Sequence, residues 1–132
     1  MRISCVSRSW SARRQGFYTT VRPSNEGTSA WVHFAIPTPV IVDDVRLKAA
    51  LAGIRVATGP KAHIGSFHVY DGEKKILDLN GININGGLQF VQFQVPGTPE
   101  VLWGTGISLL IVCDDTSPDA WVELVSGGID FH

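Results

Sequence analysis

Charged residues, cysteines and long apolar runs are scarce in this sequence, and each scarcity excludes a class of protein. Lys, Arg, Asp and Glu make up 17% of the 132 residues and 44% are hydrophobic, which excludes a highly charged or disordered chain. No apolar run approaches the roughly 20 residues that cross a bilayer, and no apolar core follows the N-terminal arginines as in a secretory signal. We therefore expect one compact domain with no membrane segment, and we favour a cytoplasmic location.

Motifs that identify several enzyme classes are also missing. The sequence contains no Gly-x-Ser-x-Gly nucleophile elbow, no Walker sequence and no strand-GxGxxG-helix arrangement. Its two cysteines are Cys5, among serines, and Cys113, in the most apolar segment. Without a secretory leader we expect both thiols to be reduced and inert, with a disulfide between them as the alternative. We predict no catalytic residue and no cofactor.

Apolar and polar residues alternate along much of the chain, which is the pattern of β-strands. Val32, Phe34 and Ile36 share one face of a predicted strand that a Pro-Thr-Pro segment ends. Residues 88–95 form a half-buried strand, whereas residues 107–113 are apolar on both faces and predict the central strand. The pattern predicts an all-β fold, an antiparallel two-sheet β-sandwich of jelly-roll type with about nine or ten short strands.

Glycines after Asp or Asn mark turns between the predicted strands. Asp71-Gly72 separates residues 64–70 from residues 75–79 and predicts a hairpin with a type I′ turn. Asn80-Gly81 is expected to end the second of these strands and to leave residues 82–84 as a short strand or extended loop. The hairpin is therefore the best-defined local element of the sequence.

Two segments are harder to assign. Apolar residues recur at helical spacing in residues 45–57, but the segment also alternates, with Gly53 where a bulge would shift the register. Residues 117–127 begin with Ser-Pro-Asp, a good helix start, yet they span barely two turns and alternate as well. We predict strands in both. Residues 17–21 and the extreme N-terminus supply weaker strands.

Three motifs carry a family resemblance: WVHFAIPTPVIVDDVRL from Trp31 to Leu47, HVYDG from His68 to Gly72 and SGGIDF from Ser126 to Phe131. Together they resemble a family of small bacterial β-sandwich proteins of unknown function. The resemblance covers the chain from Ala30 to its end and implies the fold, but it implies no activity and no catalytic residue. The Arg-rich start lies outside it.

Histidines and aspartates are the candidate metal ligands. His33 and His68 are the two histidines that we select for a transition metal. No His-x-His pair occurs, so hydrogen-bonded histidines are the competing interpretation. The aspartate pairs at residues 43–44 and 114–115 are candidates for calcium, although adjacent aspartates at strand ends more often cap turns.

Four tryptophans are many for a chain of this length. An exposed indole beside side-chain amides can grip a sugar ring. The candidate ligand-binding residues are Trp31, Trp103, Gln92 and Tyr70. The leading hypothesis is a noncatalytic protein that acts by self-association or surface binding. A lectin-like carbohydrate-binding module is the alternative, and a small metal-dependent enzyme ranks third.

Basic and acidic residues are separated along the chain. Residues 1–75 contain all eleven Lys and Arg and five acids, whereas residues 76–132 contain seven acids and no base, so the two parts carry net charges of +6 and −7. We predict that residues 1–29 are a basic arm or the first strands, and that residues 30–132 are the sandwich domain. Opposite charges favour pairing of the two ends, within one chain or across a homo-oligomer. The predicted interface residues are Arg8, Arg13, Arg14, Asp114 and Asp115.

Two alternatives remain for the basic start. Its Arg- and Ser-rich composition also fits an organelle transit peptide. Aromatic residues between the arginines fit a nucleic-acid-binding arm, but the sequence pI of about 6.4 provides no wider basic face. Nucleic acid therefore ranks below self-association as a partner.

Overall fold

All regular structure in the described part of the chain is β-strand. The computed structural model describes residues 2–4, 19–23, 29–36, 41–42, 45–114 and 119–132. Within these ranges the chain forms strands, turns and bends, and it contains no helix of the length and hydrophobicity that spanning a membrane requires. The all-β prediction is confirmed.

The strands differ widely in length. In chain order they are β1 (Arg2–Ser4), β2 (Thr19–Pro23), β3 (Ser29–Ile36), β4 (Ile41–Val42), β5 (Val45–Arg46), β6 (Ala49–Thr58), β7 (Ala62–Asp71), β8 (Lys74–Ile84), β9 (Gln89–Gln94), β10 (Thr105–Cys113) and β11 (Trp121–Phe131). Among these described strands, seven have six or more residues, and β1, β2, β4 and β5 have two to five. The predicted nine or ten short strands are therefore wrong: seven long strands build the fold, and the predicted turn at Asn80-Gly81 lies inside one of them.

Two antiparallel sheets contain the long strands. One has four strands in the order β1-β11-β6-β9, and the other has five in the order β2-β3-β10-β7-β8. β4 and β5 pair separately. β10 lies between β3 and β7, which confirms its prediction as a central strand. Apart from the β7–β8 hairpin, each connection between successive long strands crosses from one sheet to the other.

The hydrophobic core lies between the two sheets. Val32, Phe67 and Leu109 from the five-stranded sheet belong to one buried cluster with Ile54 and Leu124 from the four-stranded sheet. All five side chains are almost completely inaccessible to solvent. Since successive side chains of a strand point to opposite faces, their neighbours in sequence project from the outside of the sandwich. The two-sheet arrangement therefore leaves each sheet with one outer face.

The β7–β8 hairpin is confirmed, but its turn differs from the prediction. Asp71 pairs with Lys74, so Gly72 and Glu73 are the two central residues of the turn. Gly72 has a φ of 59°, whereas Glu73 is not among the residues with positive φ. A positive φ at the first central position alone fits a type II′ turn and not the type I′ turn that Asp71-Gly72 predicted.

The prediction of a turn at Asn80-Gly81 is wrong. β8 continues through both residues to Ile84, with Gly81 at a φ of 67°. The pairing with β7 shifts register between Ile64 and Ser66, so the extra backbone length is taken up in a bulge. A glycine at a positive φ therefore accommodates a distortion within the strand instead of ending it.

Residues 45–57 and 117–127 had patterns that fitted a strand as well as a helix. Their described residues contain strands and no helix. β6 contains Gly53, but no register shift occurs there; the shifts in the β6–β11 pairing lie at residues 124–126 and 130–131. Gly53 instead allows the Phe90 ring to lie close, since an added Cβ would stand 2.8 Å from the ring Cζ. β11 begins at Trp121, and the predicted helix start at residues 117–119 lies outside the described residues except for Asp119.

The expectation of reduced thiols is wrong for Cys113. This residue is disulfide-bonded, and the structure contains no free cysteine among its described residues. The sequence has one other cysteine, Cys5, which lies outside the described residues. Composition carried part of the expectation, and composition contains no information on which residues are neighbours in space.

Candidate functional site

Polar and aromatic side chains occupy the outer face of the five-stranded sheet. His33 on β3, Ser108 on β10 and His68 on β7 stand directly opposite one another, and Asp78 on β8 continues this row. Their neighbours in sequence, including Val32, Phe67 and Leu109, are in the core. Strand alternation therefore builds a row of polar groups across four adjacent strands.

Three cavities with shared lining residues extend from this face to the β7–β8 turn. A cavity of about 290 Å³ is lined by Trp31, His33, His68, Tyr70 and Lys75. It shares His33 and Tyr70 with a cavity of about 520 Å³, which in turn shares Gly72 and Glu73 with a cavity of about 510 Å³ at Trp103. We call these three neighbouring cavities the outer groove.

At one end of the outer groove, Trp31 packs against both histidines. Its ring centroid is 5.0 Å from that of His68 at an interplanar angle of 37°, and 6.2 Å from that of His33 at 12°. Tyr70 meets the other edge of His68 at 6.4 Å. These contacts cover the His68 ring, which is only 6% exposed although it lies on the outer face.

A hydrogen-bond network fixes the buried ring of His68. Its Nε2 lies 2.8 Å from Asn80 Oδ1 and 2.9 Å from Asp78 Oδ1, and both of these oxygens are acceptors, so Nε2 carries the proton. Asn80 donates from Nδ2 to Asp78 Oδ1 at 2.8 Å, and Ser66 Oγ donates to Asn80 Oδ1 at 3.0 Å. Lys75 Nζ stands 3.7 Å from Asp78 Oδ1. The network holds the floor of this end of the groove in one arrangement.

His33 is held by a second contact in the same row. Its Nδ1 lies 2.6 Å from the hydroxyl oxygen of Ser108, a residue that is itself buried. This is hydrogen-bonding distance, and the hydroxyl can donate or accept according to the tautomer of the ring. Both histidines of the groove are thus oriented by protein groups.

Asp71 organises the other end of the outer groove. Its carboxylate accepts hydrogen bonds from the backbone N–H groups of Leu102, Trp103 and Gly104 at 2.8, 2.9 and 3.2 Å. Burial acts to raise the pKa of Asp71, but these three donors and the charge of Lys74 outweigh it, so the pKa lies below the ordinary 3.8. The fixed loop presents Trp103, which is 77% exposed.

The structure brings together most of the predicted ligand-binding residues. Trp31 and Tyr70 line one cavity of the groove, and Trp103 lines the last one. Gln92 lies apart from them, on the exposed face of β9 in the four-stranded sheet. The four residues were selected by type. The sheet order places Trp31 and Tyr70 on one surface, and the loop before β10 places Trp103 at the adjacent β7–β8 turn.

The metal prediction stays a prediction. His33 and His68, its two residues, line the same cavity. Among the described residues, no group of three or more His, Cys, Asp and Glu is arranged to hold a metal ion. For calcium, residues 43–44 lie outside the described part, as does Asp115.

The predicted interface of the charged ends lies mostly beyond the described residues. Arg8, Arg13, Arg14 and Asp115 are outside them, and Asp114 is half exposed, with its Oδ1 3.7 Å from His63 Nδ1. The division at residues 29 and 30 also stays a prediction, although β1 pairs with β11 and β2 with β3.

Sequence reasoning missed several residues of the site. They are Ser66, Lys75, Asp78, Asn80 and Ser108. One signal was present: Ser66, His68 and Tyr70 alternate with apolar residues and so share the outer face of β7. Asn80 was hidden because Asn-Gly is a common turn signal.

Comparison with known proteins identifies a family for the chain. No curated protein and no solved structure matches the chain. The family model of a family of unknown function, DUF6623, matches residues 1–132. The match confirms the resemblance to a domain of unknown function and extends it, since the Arg-rich start is covered together with the region from Ala30 onward. The chain therefore belongs to the DUF6623 family.

Proposed function

We propose that this protein is a noncatalytic binding protein that holds a carbohydrate chain in the outer groove. The single observation that carries the proposal is that Trp31, Tyr70 and Trp103 line a series of three cavities in which each shares lining residues with the next. An elongated ligand with repeated apolar faces would contact such a series of rings. Sugar rings have apolar C–H faces and polar edges, so aromatic side chains with nearby hydrogen-bonding groups suit them.

Polar groups stand where the hydroxyls of such a ligand would lie. Lys75 lines the first cavity and stands 5.8 Å from the centre of the Tyr70 ring. Glu73 lines the second and third cavities and is exposed at the hairpin turn. A charged donor and a charged acceptor along one groove can pair with hydroxyl groups, which both donate and accept.

The state of Asp71 supports binding without catalysis at its end of the groove. Glycoside hydrolysis uses two carboxyl groups that flank the scissile bond, one of them as a proton donor. Asp71 is held as a carboxylate by three backbone donors, and Asp78 accepts from His68 and Asn80. The three backbone donors favour the ionised form of Asp71, so this group is not prepared to donate a proton.

The strand order supports a jelly-roll description of the sandwich. In a jelly roll, two Greek-key units wind through two sheets, so the chain alternates between the sheets. In the described part of this chain, every connection between consecutive long strands crosses from one sheet to the other, except the β7–β8 hairpin. Such a frame leaves a whole sheet face available for a ligand.

The test is binding to a broad glycan array, followed by calorimetric titration of the best oligosaccharide. We expect Trp31→Ala and Trp103→Ala each to weaken binding at least tenfold. The control is Val125→Ala, because Val125 is exposed but lies on the four-stranded sheet. Absence of binding on the array, or equal binding by all variants, would overturn the proposal.

Self-association is the second candidate function. It is favoured by Leu88 and Phe90, two exposed apolar side chains at and beside β9. A homo-oligomer held by the charged ends of the chain stays a prediction, since most of those residues lie outside the described part. The edge strand supports a more specific form of self-association, which concerns the opposite side of the sandwich from the groove.

A further inference from the structure

We propose that β9 is a self-association edge, at which two copies of this protein pair antiparallel and join their four-stranded sheets into one. β9 is the last strand of its sheet, and β6 is its described pairing partner. A strand at a sheet edge presents a row of unpaired backbone N–H and C=O groups, which is a template for another strand.

β9 lacks the features that protect other edges. Its sequence, QFVQFQ, contains no charge and no proline, and its pairing with β6 runs without a register shift. The opposite sheet ends at β8, which carries Lys74, Lys75 and Asp78 and has two register shifts. Charges and bulges at an edge block pairing with another chain. Among the edge strands described, β2 also contains Arg22 and Pro23, and β1 contains Arg2.

The backbone groups on the free side of β9 can be identified. The Val95 N–H donates to the Ala50 carbonyl, so the backbone groups of odd-numbered residues here point toward β6. In an antiparallel strand the direction alternates with each residue. The N–H and C=O groups of Phe90, Gln92 and Gln94 therefore point away from the sheet.

The chemistry of the edge fits a second copy of the same chain. Two β9 strands that pair about a twofold axis bring no charged side chains together. If β9 of one copy paired with β8 of another, it would instead lie beside the lysines of β8. Phe90 is 59% exposed and Leu88 is 63% exposed, so pairing would bring two apolar side chains of each copy to the junction. Twofold pairing closes on itself, which gives a dimer and not a fibre.

The alternation of side chains restricts the register. Opposite residues of an antiparallel pair lie on the same face of the sheet. The twofold axis must therefore pass through a position at which one residue stands opposite the same residue of the second copy. With the axis beside Val91, Phe90 stands opposite Gln92 of the second copy. With the axis beside Gln92, Phe90 stands opposite Gln94. In both cases the partly buried Val91 and Phe93 continue the core face of the joined sheet.

Sedimentation equilibrium over a wide concentration range tests the dimer. We expect a monomer–dimer equilibrium in which Phe90→Lys or Gln92→Lys raises the dissociation constant at least tenfold. The reason is that the lysine of one copy would lie near the lysine of the other, and like charges repel. Val125→Lys is the control: it adds the same charge to the same sheet, but on β11 and away from the edge. An equal effect of Val125→Lys, or a wild-type monomer throughout, would overturn the proposal.

Amide hydrogen exchange measured by NMR gives a second readout that does not depend on a variant. The amides of Phe90, Gln92 and Gln94 should gain protection as the protein concentration rises. Those of Val91 and Phe93 should be protected at every concentration, since they point toward β6. The same behaviour for both sets would show that the edge does not pair.

Discussion

Asp71 Oδ1, at the end of β7, accepts a hydrogen bond of 2.9 Å from the backbone N–H of Trp103, in the loop before β10. The contact joins a hairpin to a loop that is 32 residues away in sequence. The same loop lies against Gly72, where an added Cβ would stand 3.0 Å from the Trp103 Cβ. One buried carboxylate thus positions the most exposed aromatic ring of the groove.

Replacing Asp71 with Asn should lower the free energy of unfolding at neutral pH by about 2 kcal/mol, because a charge-assisted acceptor of three backbone donors is lost. Denaturant unfolding of both proteins measures this difference. Leu102 and Gly104, the other donors to the carboxylate, would keep at most part of their hydrogen bonding. An unchanged free energy of unfolding would contradict the assigned role.

The stability that Asp71 contributes should depend on pH in a defined direction. Its pKa is lowered in the folded protein, so its contribution is complete above the ordinary value of 3.8 and is lost as the pH falls through the folded pKa. The difference in the free energy of unfolding between wild type and Asp71→Asn should therefore be constant near neutral pH and should decrease in strong acid. An increase of this difference on acidification would show that the pKa of Asp71 is raised and not lowered in the folded protein.

Two adjacent glycines in β11 provide a matched pair of substitutions. A Cβ at Gly127 would stand 2.6 Å from the Phe34 ring Cε2, whereas a Cβ at Gly128 would have nothing within 4 Å. We expect Gly127→Ala to destabilise the protein by about 1 to 3 kcal/mol through overpacking against Phe34. Gly128→Ala should leave the midpoint of thermal unfolding nearly unchanged. Similar losses in both variants would exclude the contact as the cause.

Asn80 should matter for stability although it is exposed. Asn80→Ala removes the acceptor shared by His68 and Ser66, both of which are buried. Leaving a buried hydroxyl unpaired costs about 1 to 3 kcal/mol, and water reaching the site would place the loss at the lower end. Asn83→Ala is the control on the same strand, since Asn83 is exposed. Equal thermal unfolding of the two variants would contradict the network.

Because Cys113 is disulfide-bonded, we expect the stability of the protein to depend on reducing agents. Titration of the denatured protein with a thiol reagent should find no free thiol before reduction and two after it, since the sequence has two cysteines. Reduction should lower the free energy of unfolding by about 2 to 4 kcal/mol. Two reactive thiols in the untreated protein would contradict the bond.

Local patterns predicted the strands better than the turns. A segment that is apolar on both faces predicted the strand at residues 107–113, and a turn signal predicted the Asp71-Gly72 hairpin; both signals act within a few residues. Asn80-Gly81 has the same turn signal but lies inside β8, because pairing with β7 stabilises the extended backbone on both sides of it. A turn signal shows that a bend is tolerated, and the partner strand decides whether one forms.

The sequence by itself determined that the chain alternates, and with it the all-β class and the residues that share a face of each strand. His33 and Trp31 could be assigned to one face of β3 in this way. Only the tertiary structure decided that this face adjoins His68 and Tyr70, while Gln92 lies on the other sheet. The reason is that side-chain direction depends on the local backbone, whereas the neighbours of a strand depend on how distant segments close a common core.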